Sequence, residues 1–199
     1  KVISSSWGLC EALSNPSTIS SENTIFSSAA AQGQTVIAAS GDSGDTDCYD
    51  PASSSPNKSL SVDDPAGQPF VLAAGGTTMH GTSNNSMVES AWNSVQTDAN
   101  HNNYYGATGG GVSKTWPLPS YQSGVTATGY AQNCPTAAST GCRQVPDVAA
   151  LADPAQGYVI DEFGEDANNP ADHYISIIGG TSGAAPAILV AISCACTTC

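Results

Sequence analysis

Two short apolar runs on either side of a segment with helical periodicity do most to restrict how this chain can fold. Val2-Ile3-Ser4-Ser5-Ser6-Trp7 suits a short strand that Gly8 stops, and Thr35-Val36-Ile37-Ala38-Ala39-Ser40 suits a second, fully apolar strand. Between them Ile25, Phe26, Ala29 and Ala30 make an i, i+4 apolar stripe. Ser20 or Ser21 is placed to cap that helix, and Gly33 to end it. A strand–helix–strand unit of this kind predicts two parallel strands joined by a right-handed crossover.

The pattern continues along the chain. Phe70 to Ala74 reads as a third apolar strand after a Pro- and Ser-rich loop, and Tyr174 to Ile178 as another buried strand. The polar region from about 77 to 145 reads as irregular strands and surface loops. Thr181 or Ser182 is placed to cap a last apolar helix. The expected architecture is α/β with a mainly parallel sheet, which favours active residues at the carboxyl ends of strands. The opening KVISSSWG reads as a buried strand at the first residues, so a preceding segment is expected in a parent polypeptide.

Charge narrows the partners. The 199 residues carry 17 acidic side chains against 4 basic ones, a formal charge of -13. Such a field repels nucleic acid and anionic membranes, so neither is expected as a partner. No run of about 18 apolar residues offers a transmembrane helix. The acidity fits either a well-solvated surface or a protein that works in acid, where its self-repulsion is small. Seven cysteines with few lysines and much Ser, Thr, Asn and Gly read as secreted and extracellular. Cys10 and Cys48 follow neighbouring parallel strands at one edge, and Cys134 and Cys142 close a short loop. The pairs Cys10–Cys48 and Cys134–Cys142 are therefore expected. Cys194, Cys196 and Cys199 crowd the end, where C-A-C-T-T-C is a metal-binding pattern or an irregular tail.

The chemistry concentrates in GGTSGAAP, Gly179 to Pro186, between the last strand and the last helix. Glycines there allow close backbone approach, and a hydroxyl at a helix N-terminus feels the positive end of the helix dipole. Pro186 falls in or near the first turn. A serine in such a place can be a plain helix cap or a nucleophile.

The chain resembles the sedolisin family, serine-carboxyl peptidases built on a three-layer subtilisin-like fold. GGTSGAAP matches the nucleophile motif, and AASGDSGD matches the strand and turn that carry the oxyanion aspartate. VISSSWG, DPAGQPFVLAAGGT, GGGVS and CRQVPDVAALADPAQGYVI match further segments in the right order. The resemblance covers residues 1–192; residues 193–199 form a Cys-rich tail that no longer looks like the family. It implies Ser182 as nucleophile, Asp42 as oxyanion-hole residue, and Ser6, Trp7 and Gly8 on the S1 side of the cleft, pairing with substrate backbone. It implies a secreted acid endopeptidase acting on polypeptides through an acyl-enzyme, made with an N-terminal propeptide. Asp147, in VPDV, reads as structural.

Two features qualify that expectation. Asp42, His80 and Ser182 stand in the chain order of an ordinary subtilisin triad. However, HGTSNNSMVESAWN lacks the apolar stripe of the helix that such a histidine begins, so His80 is expected in a loop. The family's base is a glutamate supported by an aspartate on a helix upstream of the VISSSWG strand, and Glu11, Glu22 and Glu89 do not lie in that motif. Base and partner are therefore expected outside this chain. The family's calcium is expected too, on a loop well downstream of Ser182, so no metal ligand is assigned within the chain. With base and calcium ligands missing, a non-catalytic secreted domain used for binding or display stands as the alternative.

Overall fold

The computed structural model describes residues 1–50, 52–81, 86–97, 103–125, 141–163 and 173–196. In chain order its elements are β1 (Val2–Ser5), β2 (Leu9–Cys10), α1 (Pro16–Ala31), β3 (Thr35–Ala39), β4 (Asp63–Asp64), β5 (Leu72–Gly81) and β6 (Met87–Ala91). There follow β7 (Asn93–Thr97), β8 (Asn103–Ala107), β9 (Gly111–Pro117), β10 (Cys142–Val145), β11 (Val148–Leu151), β12 (Tyr158–Phe163), β13 (His173–Ile178) and α2 (Thr181–Cys196).

The central sheet runs β1-β3-β5-β11, all parallel, with β6 joined antiparallel to β5. The parallel pairing of β1 with β3 is the one that the strand–helix–strand pattern predicts. Alternation along β3 explains why its run is continuously apolar. Val36 and Ala38 face one side, where Ala73 and, from α1, Phe26 and Ala29 pack on them. Ile37 and Ala39 face the other, against Ala74 and, from α2, Ala185, Ile188, Leu189 and Ile192. A helix on each face of a buried parallel sheet gives the three-layer α/β fold.

Several expectations change in detail. α1 begins at Pro16, not near Ser20. Asn15 is the cap, its Oδ1 accepting from Ser17 N at 2.9 Å, and Pro16 takes the first-turn position where no N–H is missed. Ser21 lies inside the helix and bonds back to Ser17 O at 2.8 Å. Gly33 does end the helix, with φ 69°.

β5 starts at Leu72 and leaves Phe70 outside, 46% exposed. The described parts of the region from 77 to 145 are more regular than expected, since β5 and β6, β7 and β8, and β9 and β10 all pair antiparallel. His80 accordingly sits on β5 opposite Val88, not in a loop. β13 is not a buried strand of the main sheet: it forms a two-stranded ribbon with β12, and Ile175 and Ile177 are 72% and 60% exposed. β1 is only half-buried, because it is the end strand of the described sheet. α2 runs on to Cys196, so most of the expected tail is helical.

Cys10 and Cys48 form the expected disulfide, with Cα atoms 5.0 Å apart. Cys142 is disulfide-bonded; its expected partner Cys134 lies outside the described residues. Asp147 is structural as read. It pairs with buried Arg143 and accepts from Ala73 N at 2.8 Å and Gln122 Nε2 at 3.0 Å, joining β5, β10 and the turn at Ser120–Gln122.

Candidate active site

Ser182 is the second residue of α2. Neither it nor Thr181 caps that helix. Gly180 does, its carbonyl accepting from Gly183 N at 3.0 Å and Ala184 N at 3.4 Å with φ at 82°. The left-handed turn excludes a side chain, and a Cβ there would also stand 2.5 Å from Asp42 Oδ2. Pro186 lies inside α2. With no N–H, it leaves the carbonyl four residues back, that of Ser182, without its helical donor. Ser6 Oγ donates to that carbonyl at 2.9 Å, and Ser182 Oγ donates to Ser6 O at 3.2 Å. The exposed serine after β1 and the one opening α2 are thus bonded both ways across the cleft.

Asp42 follows β3 on the turn that also bears Gly41. Its Oδ1 accepts from Thr181 N at 2.8 Å and from Thr181 Oγ1 at 2.9 Å. Thr181 N thus holds Oδ1 as an acceptor, while Oδ2 is the oxygen that faces Gly180. Ser6 and Asp42 stand just beyond the carboxyl ends of β1 and β3, where an open parallel sheet binds ligands, and the start of α2 brings Ser182 into the same cleft.

The three line a cleft of about 290 Å³ with Trp7, Asp47 and Asp63. Trp7 is 86% exposed and forms no part of the core. A Cβ at Gly8 would collide with the Asp63 carboxyl, so glycine there lets the wall close over that acid. Asp63 is buried beside Asp47, and its Oδ1 has no hydrogen-bond partner among the described residues. Burial pushes Asp63 up to about 8, and the charges of Asp47, Asp64 and Asp42 add to the rise. Burial also raises Asp47, to about 6, against the lowering effect of Asp63 beside it. The cleft therefore keeps a proton on Asp63 well above the ordinary carboxylate range.

The subtilase family model matches residues 1–197. Kumamolisin of Bacillus sp. (strain MN-32) is 40% identical over 188 residues, 93% of this chain and 29% of that protein. Sedolisin of Pseudomonas sp. (strain 101) is 37% identical over 188 residues, 94% of this chain and 28% of that protein. A solved structure of Pseudomonas sedolisin, a serine-carboxyl proteinase complexed with two molecules of pseudo-iodotyrostatin, superposes with a TM-score of 0.68 at 38% identity. It covers 94% of this chain and 45% of that one. This chain belongs to the sedolisin family of subtilases. It spans under a third of the length of those two curated relatives.

Within this sedolisin-family chain Glu11, Glu22, Glu89 and His80 are placed away from Ser182 and Asp42. Glu11 is buried and accepts from Ser113 Oγ at 2.5 Å and Lys114 N at 2.9 Å, so it anchors the GGGVS turn. Glu22 lies on α1 near Asp64, and Glu89 stands opposite Met79 on the β5–β6 hairpin. His80 Nε2 bonds to Ser90 Oγ at 2.8 Å on that same hairpin, not to Ser182 or Asp42. Sequence reasoning misses Asp47, Asp63 and Thr181. The signals are present, in GDTD after the Asp42 motif and in the consecutive acids of VDDP. Their pairing is made only by the fold.

Proposed function

We propose that a polypeptide containing this chain is a secreted acid endopeptidase of the serine-carboxyl type. Ser182 attacks the substrate carbonyl, and water hydrolyses the resulting acyl-enzyme. Protonated Asp42 donates to the oxyanion from Oδ2, and Ser6, Trp7 and Gly8 hold substrate backbone and the adjoining side chain. The observation that supports this reading is the placement of Ser182 and Asp42, from distant parts of the sequence, in the lining of one cleft with Ser6, Trp7 and Gly8.

The base lies outside these 199 residues in this proposal. Ser182 Oγ donates to the backbone carbonyl of Ser6, which cannot take a proton. A glutamate supported by an aspartate is the base expected, and a carboxylate stays ionised in acid where histidine is protonated. Asp42 donates only while it keeps its own proton, so the same acid condition serves both groups. Disulfide bonding of Cys10, Cys48 and Cys142 fits an oxidising, extracellular setting. A propeptide in the precursor belongs to the same proposal. Calcium held by residues beyond this chain belongs to the same proposal.

The unpaired state of Ser182 with respect to a base also fits a second reading, a non-catalytic domain that binds extended peptide in the same cleft. The test is digestion of a denatured protein at pH 4 by the longer polypeptide and by its Ser182→Ala variant. Cleavage lost in the variant supports the peptidase. Equal peptide binding by both, with cleavage by neither, supports the binding domain.

A further inference from the structure

Thr181 opens α2 beside Ser182 and is 1% exposed. Its hydroxyl stands 2.9 Å from Asp42 Oδ1 and 3.1 Å from Gly41 O, and it accepts from Gly41 N at 3.2 Å. Its own N–H donates to Asp42 Oδ1 at 2.8 Å. One residue at the start of α2 therefore meets both residues of the turn after β3. A hydroxyl carries one proton, so Thr181 Oγ1 donates to Gly41 O or to Asp42 Oδ1 and keeps a lone pair for Gly41 N. In either arrangement the turn that bears Asp42 is tied to the residue next to Ser182. The other Asp42 oxygen, Oδ2, stands 2.5 Å from where a side chain at Gly180 would begin. Thr181 and Gly180 thus bound the Asp42 carboxyl from its two ends.

We propose that the Thr181 hydroxyl is a positioning group for Asp42, fixing the carboxyl through Oδ1 so that Oδ2 is the oxygen presented to the oxyanion. This rests on the reading of Ser182 as nucleophile and Asp42 as oxyanion donor. Without the hydroxyl, buried Gly41 N loses its acceptor and Asp42 Oδ1 keeps only Thr181 N. The carboxyl is then free to turn, and its proton is no longer held where charge develops on the substrate oxygen. A misplaced oxyanion donor weakens the transition state more than the bound substrate, so kcat falls before KM changes.

The experiment measures kcat and KM at pH 4 for a longer polypeptide that includes the glutamate helix, with Thr181→Val, Thr181→Ser, Asp42→Ala and the double variant Thr181→Val/Asp42→Ala, each corrected for its folded fraction. Valine keeps the shape without the hydroxyl, and serine keeps the hydroxyl. Thr181→Val should lose on the order of tenfold in kcat with KM nearly unchanged, and Thr181→Ser should recover most of that loss. Added to Asp42→Ala, the valine should cost little more, because no carboxyl remains to be positioned. Wild-type kcat in folded Thr181→Val, a loss that serine does not recover, or a full further loss on Asp42→Ala would each overturn the proposal. Failure of the underlying reading looks different, since the unsubstituted longer polypeptide then cleaves nothing. In that case urea unfolding of the 199-residue chain with Thr181→Val, Asp42→Ala and both decides the contact. The two substitutions should couple by on the order of fivefold in the unfolding constant. Independent effects would overturn the positioning role.

Discussion

Ser6 and Ser182 exchange hydrogen bonds in opposite directions, each hydroxyl donating to the other's backbone carbonyl, at 2.9 Å from Ser6 Oγ and 3.2 Å from Ser182 Oγ. The exchange exists because Pro186 removes the donor that Ser182 O would otherwise have inside α2. A proline that looks out of place in a helix thereby fixes the start of α2 to the end of β1.

That relation is testable by a double-mutant cycle. Ser6→Ala should cost about 1 kcal/mol of stability, the usual net worth of one hydrogen bond. In a Pro186→Ala background the helix supplies its own N–H to Ser182 O, and the cost of Ser6→Ala should shrink. Urea denaturation of the four proteins measures the coupling. An unchanged cost in both backgrounds would show that Pro186 plays no part.

The 199-residue chain by itself should not cleave protein between pH 3 and 8. Its serine lacks a base, and a partial oxyanion hole leaves only residual rate. Incubation of purified chain with a denatured protein at pH 4 checks this. Digestion that disappears in Ser182→Ala would place the base within the 199 residues.

The Asp47–Asp63 pair sets a second pH dependence. Asp63 is raised from its ordinary 3.8 to about 8, so the folded chain holds a proton that the unfolded chain releases across that interval. Stability is therefore greatest in acid and declines as pH rises from about 4 to 8. Asp63→Asn should flatten that decline and leave the chain relatively more stable at pH 8 than the wild type. A wild-type slope in the folded variant would remove Asp63 as its source.

The Cys10–Cys48 disulfide joins β2, which follows Ser6, to the loop after β3, which carries Asp42. Replacing both cysteines by serine should cost about 2–4 kcal/mol. Non-reducing peptide mapping should find Cys10 joined to Cys48 and Cys142 to Cys134. Cys10 joined to Cys134 would contradict the arrangement of the cleft walls.

How much of the structure is legible in the sequence depends on how locally each feature is determined. β3 is plain because burial on both faces leaves a continuous apolar run, Val36 to Ala39. β13 has an equally apolar run but lies on an exposed ribbon, since composition reports strand propensity and not what covers the strand. The start of α1 is obscured because serines cap and serines also bond back inside a helix, and Ser21 does the latter. β5 beyond Ala74 is hard to read because GGTTMHG is held by backbone pairing to β11 and then β6, which leaves little apolar signal. Ser182 and Asp42 stand out through long motifs. Asp47 with Asp63, and Asp64 with Glu22, do not, because each pair is assembled from separate segments.

Asp42 as a proton-bearing donor to the oxyanion is the centre of the proposed chemistry. The most direct measurement is kcat/KM from about pH 3 to 7 for a longer polypeptide that includes the glutamate helix, with Asp42→Ala and Asp42→Asn beside it and the folded fraction followed at each pH. Asp42→Ala should lose roughly 10²–10³ in kcat, the usual loss for one oxyanion-hole donor. Asp42→Asn keeps a donor that does not titrate, so it should retain more activity than the alanine variant and lose part of the decline toward neutral pH. Wild-type kinetics in folded Asp42→Ala would contradict the assignment.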